Sequence, residues 1–196
     1  MQFQSLFLRK KNIEMSRKYK FHDLDSLYFI TSTTVNWVDV FIRDVYREII
    51  LNSIKYCQKE KGLDVYSWCL MTSHLHMIVG SHKSPLDDII RDFKSFTSYE
   101  LKSAITFNET ESRKEWMLPI FIEAGRRNFN NVKWQFWQQN NHPIVLDTNE
   151  SFDNTLNYIH MNPVEAGFVS GAQYYPFSSA IDYSGGKGLL DVIVVD

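Results

Sequence analysis

Two histidines one residue apart, within Met71-Thr72-Ser73-His74-Leu75-His76-Met77-Ile78-Val79, are the side chains of this sequence best suited to chemistry. Side chains alternate along an extended strand, so His74 and His76 share one face while Leu75, Met77 and Val79 point the other way, toward a core. Imidazoles held about 7 Å apart on one strand can converge on a single metal ion. The same spacing also describes a half-exposed strand that happens to carry two histidines. A metal site therefore needs a further group from elsewhere in the chain.

The segment Phe152 to Asn162 is a source for that group. At about 100° per residue, Phe152, Leu156 and Ile159 form one apolar stripe of a helix. Tyr158 and Asn162 then fall together at about 240° and 280°, away from the stripe, so a phenol and an amide share a face. His160 falls near about 80°, roughly opposite Tyr158, and suits packing or hydrogen bonding behind the site better than ligation.

These groups need a frame. Residues 27–35 are β-branched and aromatic and read as a strand. Ile42, Val45, Tyr46, Ile49, Ile50 and Ile54 recur at helical spacing, with an end near Lys61-Gly62. Residues 65–71 and 74–79 form two short antiparallel strands, and Pro85, Asp87 and Asp88 open a second helix whose apolar side is Ile89, Ile90, Phe93, Phe96 and Leu101. A short helix is expected near 116–126, a strand at Trp134-Gln135-Phe136-Trp137, and a loop over 138–149. Ser151 reads as the N-cap of the tyrosine helix and Pro163 as its stop, with 171–184 loop-like and a short strand possible at 189–195. The expected class is α+β: a βαββαβ, ferredoxin-like or RRM-like antiparallel sheet with helices on one face and an added C-terminal helix carrying the tyrosine.

With 196 residues, 44% hydrophobic and 22% charged, the chain has the composition of an ordinary globular domain, which excludes collagen-like and wholly disordered classes. Cys57 and Cys69 sit in apolar stretches and read as buried thiols, not a disulfide framework. No apolar run reaches the length of a membrane span, and the basic cluster Arg9-Lys10-Lys11 follows the apolar start instead of preceding it, so a cytoplasmic location is expected. The net charge of −2 is uneven: residues 1–133 hold 20 basic against 16 acidic side chains, and 134–196 hold 1 against 7. A basic face is therefore possible. Arg91, Lys94 and Lys102 at helical spacing, and Arg126, Arg127 and Lys133 near two tryptophans, are the candidate DNA contacts. Gly185-Gly186-Lys187-Gly188 lacks P-loop spacing, so no nucleotide cofactor is expected.

The histidine strand, the helix Tyr158-Ile159-His160-Met161-Asn162-Pro163-Val164-Glu165-Ala166-Gly167-Phe168-Val169 and the tail Tyr174-Tyr175-Pro176-Phe177-Ser178-Ser179-Ala180 resemble the single-tyrosine HUH transposases, most of all the REP-associated tyrosine transposases. Arg91 to Ser98 and Phe136-Trp137-Gln138 fit the same pattern. Thr72-Ser73 departs from it, standing where that family usually has Pro-Asn. The change bears on how the histidine strand is held and leaves both histidines in place.

The resemblance implies an HUH nuclease fold and an enzyme that cleaves and rejoins single-stranded DNA at hairpin-forming repeats. It implies Tyr158 as nucleophile, and His74, His76 and Asn162 as ligands of a divalent metal, Mg²⁺ or Mn²⁺. Its alternative is a non-catalytic DNA hairpin-binding or regulatory descendant. The expected layout is a basic extension over 1–20, one domain over 21–184 and a tail over 185–196, as a monomer or homodimer with no membrane partner.

Overall fold

The computed structural model of the chain describes residues 26–128, 133–139 and 143–195. The basic extension expected over 1–20 lies outside the described residues. Four strands form one antiparallel sheet: β1 (Leu27–Thr33), β2 (Leu63–Leu70), β3 (His74–Ser81) and β4 (Ile144–Leu146), in the order β2-β3-β1-β4. With helices α1 (Asp44–Tyr56), α2 (Leu86–Phe107), α3 (Lys114–Arg126) and α4 (Asn149–Glu165), the chain follows the βαββαβ plan, with α3 inserted before the last strand.

Alternation divides the sheet into two faces. Tyr28, Ile30, Leu75, Met77 and Val79 pack with Ile50 and Ile54 of α1, Ile89 and Phe93 of α2 and Phe121 of α3 in the larger core. Cys69, Ile78 and the partly buried Phe29 pack with Phe152 and Ile159 of α4 on the opposite face. The tyrosine helix thus covers the face that the other helices leave, and the odd-numbered apolar residues of β3 face away from it.

Several expected boundaries move. Residues 134–137 make no strand; only Trp137 forms an isolated bridge, to Thr34. Phe136 and Trp137 are both buried in the helix-side core, in ring contact with Phe41, so adjacent side chains turn the same way and strand alternation is lost. The fourth strand is instead Ile144–Leu146, inside the expected loop, where Leu27 pairs with Leu146. Helix α4 begins three residues early: Thr148 is its N-cap and Ser151 the reciprocal partner in a capping box. Pro163 lies within α4, which continues to Glu165. So near the C-terminus the ring forfeits one hydrogen bond and is itself buried. Residues 189–195 form no strand, although Ile193 N–H donates to Val65 O at 2.9 Å. Together with Leu70 N–H to Phe177 O (2.8 Å) and Ser179 N–H to Trp68 O (2.9 Å), that bond covers the outer edge of β2.

Cys57 and Cys69 are free and buried. No helix among the described residues is long and apolar enough to cross a membrane.

A buried carboxylate ties the segment before α1 to the α2–α3 loop. Glu111, its side chain fully buried, accepts from Arg113 through Nε (2.8 Å) and Nη2 (2.8 Å) and lies 2.8 Å from Arg43 Nε. Arg113 Nη1 also donates to Asp39 O at 2.6 Å, and Asp39 accepts from the Thr72 hydroxyl at the turn before β3. The Arg113 guanidinium holds the Glu111 carboxyl down at about 2. A carboxyl depressed on folding stabilises the fold above its ordinary pKa, and that contribution is lost as the pH falls from about 4 toward 2.

Glu111→Ala is expected to cost about 3 kcal/mol in urea unfolding at neutral pH, since it strands two guanidinium groups. The gap between wild type and variant should narrow below about pH 4.

Candidate active site

β3 pairs with β1 so that His76 lies opposite Thr31 and His74 opposite Thr33. On the other side Cys69 of β2 lies opposite His76. His74, His76 and Ile78 share the α4 face, as the alternation requires. The two imidazole centroids are 4.7 Å apart.

Each ring is held through Nδ1. His76 Nδ1 is 2.8 Å from Thr31 Oγ1, and His74 Nδ1 is 3.2 Å from Ser73 Oγ. With Nδ1–H donating to the Thr31 hydroxyl, His76 Nε2 keeps its lone pair, the tautomer a metal-binding histidine needs. His76 Nε2 is buried and has no hydrogen-bond partner. A buried polar atom without a partner is costly and points to a ligand. Burial drives His76 well below the usual imidazole range, with His74 adding to the effect. Burial also lowers His74 to about 4, against the opposing pull of a hydrogen bond that its ring donates to the Asn162 side chain and of the charge of Asp39. Both rings are therefore neutral at pH 7 and ready to bind a cation.

Thr72 and Ser73, the departure from the family pattern, tie the turn before β3 to its neighbours. Phe41 N–H donates to Thr72 O (2.8 Å), Thr34 N–H donates to Ser73 O (2.9 Å), and both side chains are engaged as described.

Helix α4 brings Tyr158 and Asn162 to the same place. The Tyr158 ring centroid lies 5.3 Å from that of His76 and 6.0 Å from Phe29, whose edge-to-face contact sets the phenol's direction. Tyr158 is 43% exposed, so solvent reaches this side chain. Asn162, one turn on, donates from Nδ2 to Tyr158 O at 3.4 Å, and its side chain hydrogen-bonds His74. All four residues belong to one chain. His160 points elsewhere: its Nε2 is 2.9 Å from Ser179 Oγ and 3.3 Å from Ser67 Oγ, behind the site.

Two neutral imidazoles and an amide fit a divalent cation that completes its shell with water or phosphate oxygen. Cys69, though in register with His76, has its thiol pushed up to about 12 by burial and offers no thiolate. No cluster of three or more His, Cys, Asp or Glu suited to a metal occurs among the described residues.

The candidate DNA contacts do not form one exposed stripe. Arg91 is exposed and paired with Asp88 and Asp92. Lys94 is half-buried, donates to Gln138 O at 3.1 Å, and is lowered by burial to about 8. Lys102 Nζ lies 5.3 Å over the Trp134 ring. Arg126 and Arg127 flank Glu123, Arg127 at 2.9 Å, and Lys133 is exposed with a left-handed backbone.

Sequence reasoning missed Thr31 and Phe29. Thr31 and Phe29 sit two residues apart on β1, so alternation alone puts them on one face. Their pairing with β3 is what makes them part of the site.

Residues 25–118 match the family model described as transposase IS200-like. No curated protein sequence matches the chain. Among solved structures, a REP-associated tyrosine transposase bound to a REP hairpin is similar at TM-score 0.62 and 16% identity, covering 94% of this chain and 94% of that one. A candidate transposase from Deinococcus radiodurans R1 aligns at TM-score 0.39 and 16% identity, over 74% of this chain and 94% of that one. The family match bears out a likeness to transposases over residues 25–118, and the shared fold of the first structure bears out the α+β class.

Thr31→Val removes the hydroxyl that orients His76 while keeping side-chain volume. It should weaken Mn²⁺ binding about 10- to 100-fold in calorimetry with little change in unfolding. In wild type, Mn²⁺ affinity should stay nearly flat from pH 7.5 to 6, where an ordinary imidazole already competes for protons, and fall only as the pH approaches 4.

Proposed function

We propose that this chain is a metal-dependent tyrosine transposase that cleaves and rejoins single-stranded DNA through a 5′-phosphotyrosine intermediate, at hairpin-forming repeats. The observation that carries this reading is the convergence of Tyr158, 5.3 Å ring to ring from His76, with an orphaned Nε2 on that histidine. The IS200-like match over 25–118 supports it. So does the shared fold with a structure described as bound to a REP hairpin.

In this reading Tyr158 Oη attacks the scissile phosphorus, the bond to the 3′ oxygen breaks, and the 5′ phosphate remains on the phenol. His74, His76 and Asn162 would hold a divalent cation, Mg²⁺ or Mn²⁺, which neutralises phosphate charge and lines the group up for attack. Thr31 and Ser73 fix the imidazole directions, and Phe29 braces the attacking ring. The phosphotyrosine link conserves the diester, so a free 3′-hydroxyl can attack it, rejoin strands and return the proton to Tyr158. No nucleoside triphosphate is consumed. Because the tyrosine lies over the histidines of its own chain, a monomer suffices for one cleavage.

Incubation with labelled single-stranded hairpin DNA and Mn²⁺, followed by denaturing electrophoresis, should give a covalent protein–DNA band in wild type and none with Tyr158→Phe, while hairpin affinity changes less than about threefold. An undiminished band from the phenylalanine variant would remove Tyr158 as nucleophile. Hairpin binding without any cleavage by wild type would instead mark a regulatory descendant.

A further inference from the structure

Just beyond β1 the chain turns through Asn36 (φ 54°) and Trp37 (φ 57°), two consecutive non-glycine residues in the left-handed region. That conformation is rare for a bulky side chain and persists only where neighbours impose it. Here they do. Trp37 N–H donates to Thr34 O (3.1 Å), Val38 N–H to Val35 O (3.3 Å), and the buried Thr34 hydroxyl to Val38 O (2.9 Å). Thr34 and Val35 are in turn bonded to Ser73 O (2.9 Å) and Phe136 O (2.8 Å).

The result of this bracing is an indole left in the open. Trp37 is 50% exposed, whereas Trp68 and Trp137 are buried in the core. Its ring makes a T-shaped contact with His74, with centroids 5.3 Å apart, and so flanks the histidine pair. At its neighbours Val35 and Asn36 opens a groove of about 880 Å³, lined also by Gln135, Gln138, Gln139 and the paired Arg127 and Glu123. The amides suit the edges of an unpaired strand, while an aromatic face suits any base.

We propose that Trp37 is a stacking platform for one unpaired base next to the scissile phosphate, with the strand continuing into this groove; the assignment rests on the DNA-cleaving reading above. A strained, exposed aromatic beside the catalytic residues positions the strand so that the correct phosphate meets Tyr158. Trp37 takes no part in bond making.

The test is a scan of single abasic substitutions across the cleavage site, with binding measured for wild type, Trp37→Asn and Trp37→Phe. Asparagine tolerates the left-handed backbone, so the turn is kept while the ring is lost. In wild type one abasic position should weaken binding about 10- to 100-fold. Trp37→Asn should lose a similar factor on intact DNA and become indifferent to that one position, and Trp37→Phe should restore much of both. Trp37→Leu, which keeps apolar bulk without a π face, gives the same comparison if the asparagine variant proves unstable. Losses that add independently at every position overturn the stacking role. Wild-type protein that neither binds nor cuts the unsubstituted strand overturns the cleavage reading itself.

Discussion

The hydrogen bond between Thr31 and His76, across the antiparallel pairing of β1 with β3, is the interaction on which the candidate site depends. It spends Nδ1 of a fully enclosed imidazole and leaves Nε2 with a lone pair and no partner. A slip of one residue in this register would turn every side chain of one strand to the other face, burying the histidines in the apolar core and exposing Leu75 and Met77. The register that packs the core is therefore the register that builds the site. The energy of burying Tyr28, Ile30, Leu75, Met77 and Val79 against α1 and α2 is what holds the two imidazoles in place.

The sheet works on two sides. One face carries the large core with three helices, and the other receives α4, anchored by Phe152 and Ile159 on Ile78 and Cys69, together with Tyr175 from the segment after it. Tyr158 and Asn162 flank that anchor on one border of the helix and His160 flanks it on the other. One border meets the histidines. The other meets Ser67 and Ser179, at the edge strand that the C-terminal tail covers. The turn carrying Thr72 is braced in turn by Asp39, which Arg113 links to the buried Glu111. An ion cluster in a connecting loop thereby stiffens the entry to the histidine strand.

Charge is organised less simply than its distribution along the chain suggests. Of the basic residues on α2, one is paired with neighbouring aspartates, one is drawn in toward Gln138, and one lies over an indole. Helical spacing shows which residues share a face, but not which of them a neighbouring segment will cover. Burial of Lys94 is produced by residues that follow it by more than 40 positions.

What the sequence by itself determined was local. Period-two alternation put His74 and His76 on one face, period 3.6 put Tyr158 beside Asn162 and turned His160 away, and the β-branched and apolar runs named most strands and helices. These follow from bond geometry and need no neighbour. Only the tertiary structure decided the rest. Residues 134–137 had strand-like composition, yet two adjacent aromatics bury together in the core, so a three-residue strand at Ile144–Leu146 took the edge instead. Thr31 and Trp37 acquire meaning only from strand pairing and a braced turn, since a hydrogen bond across 45 residues of sequence leaves no periodic trace. The meeting of the phenol with the imidazoles is likewise a product of which sheet face α4 covers, a choice made by apolar burial on both sides at once.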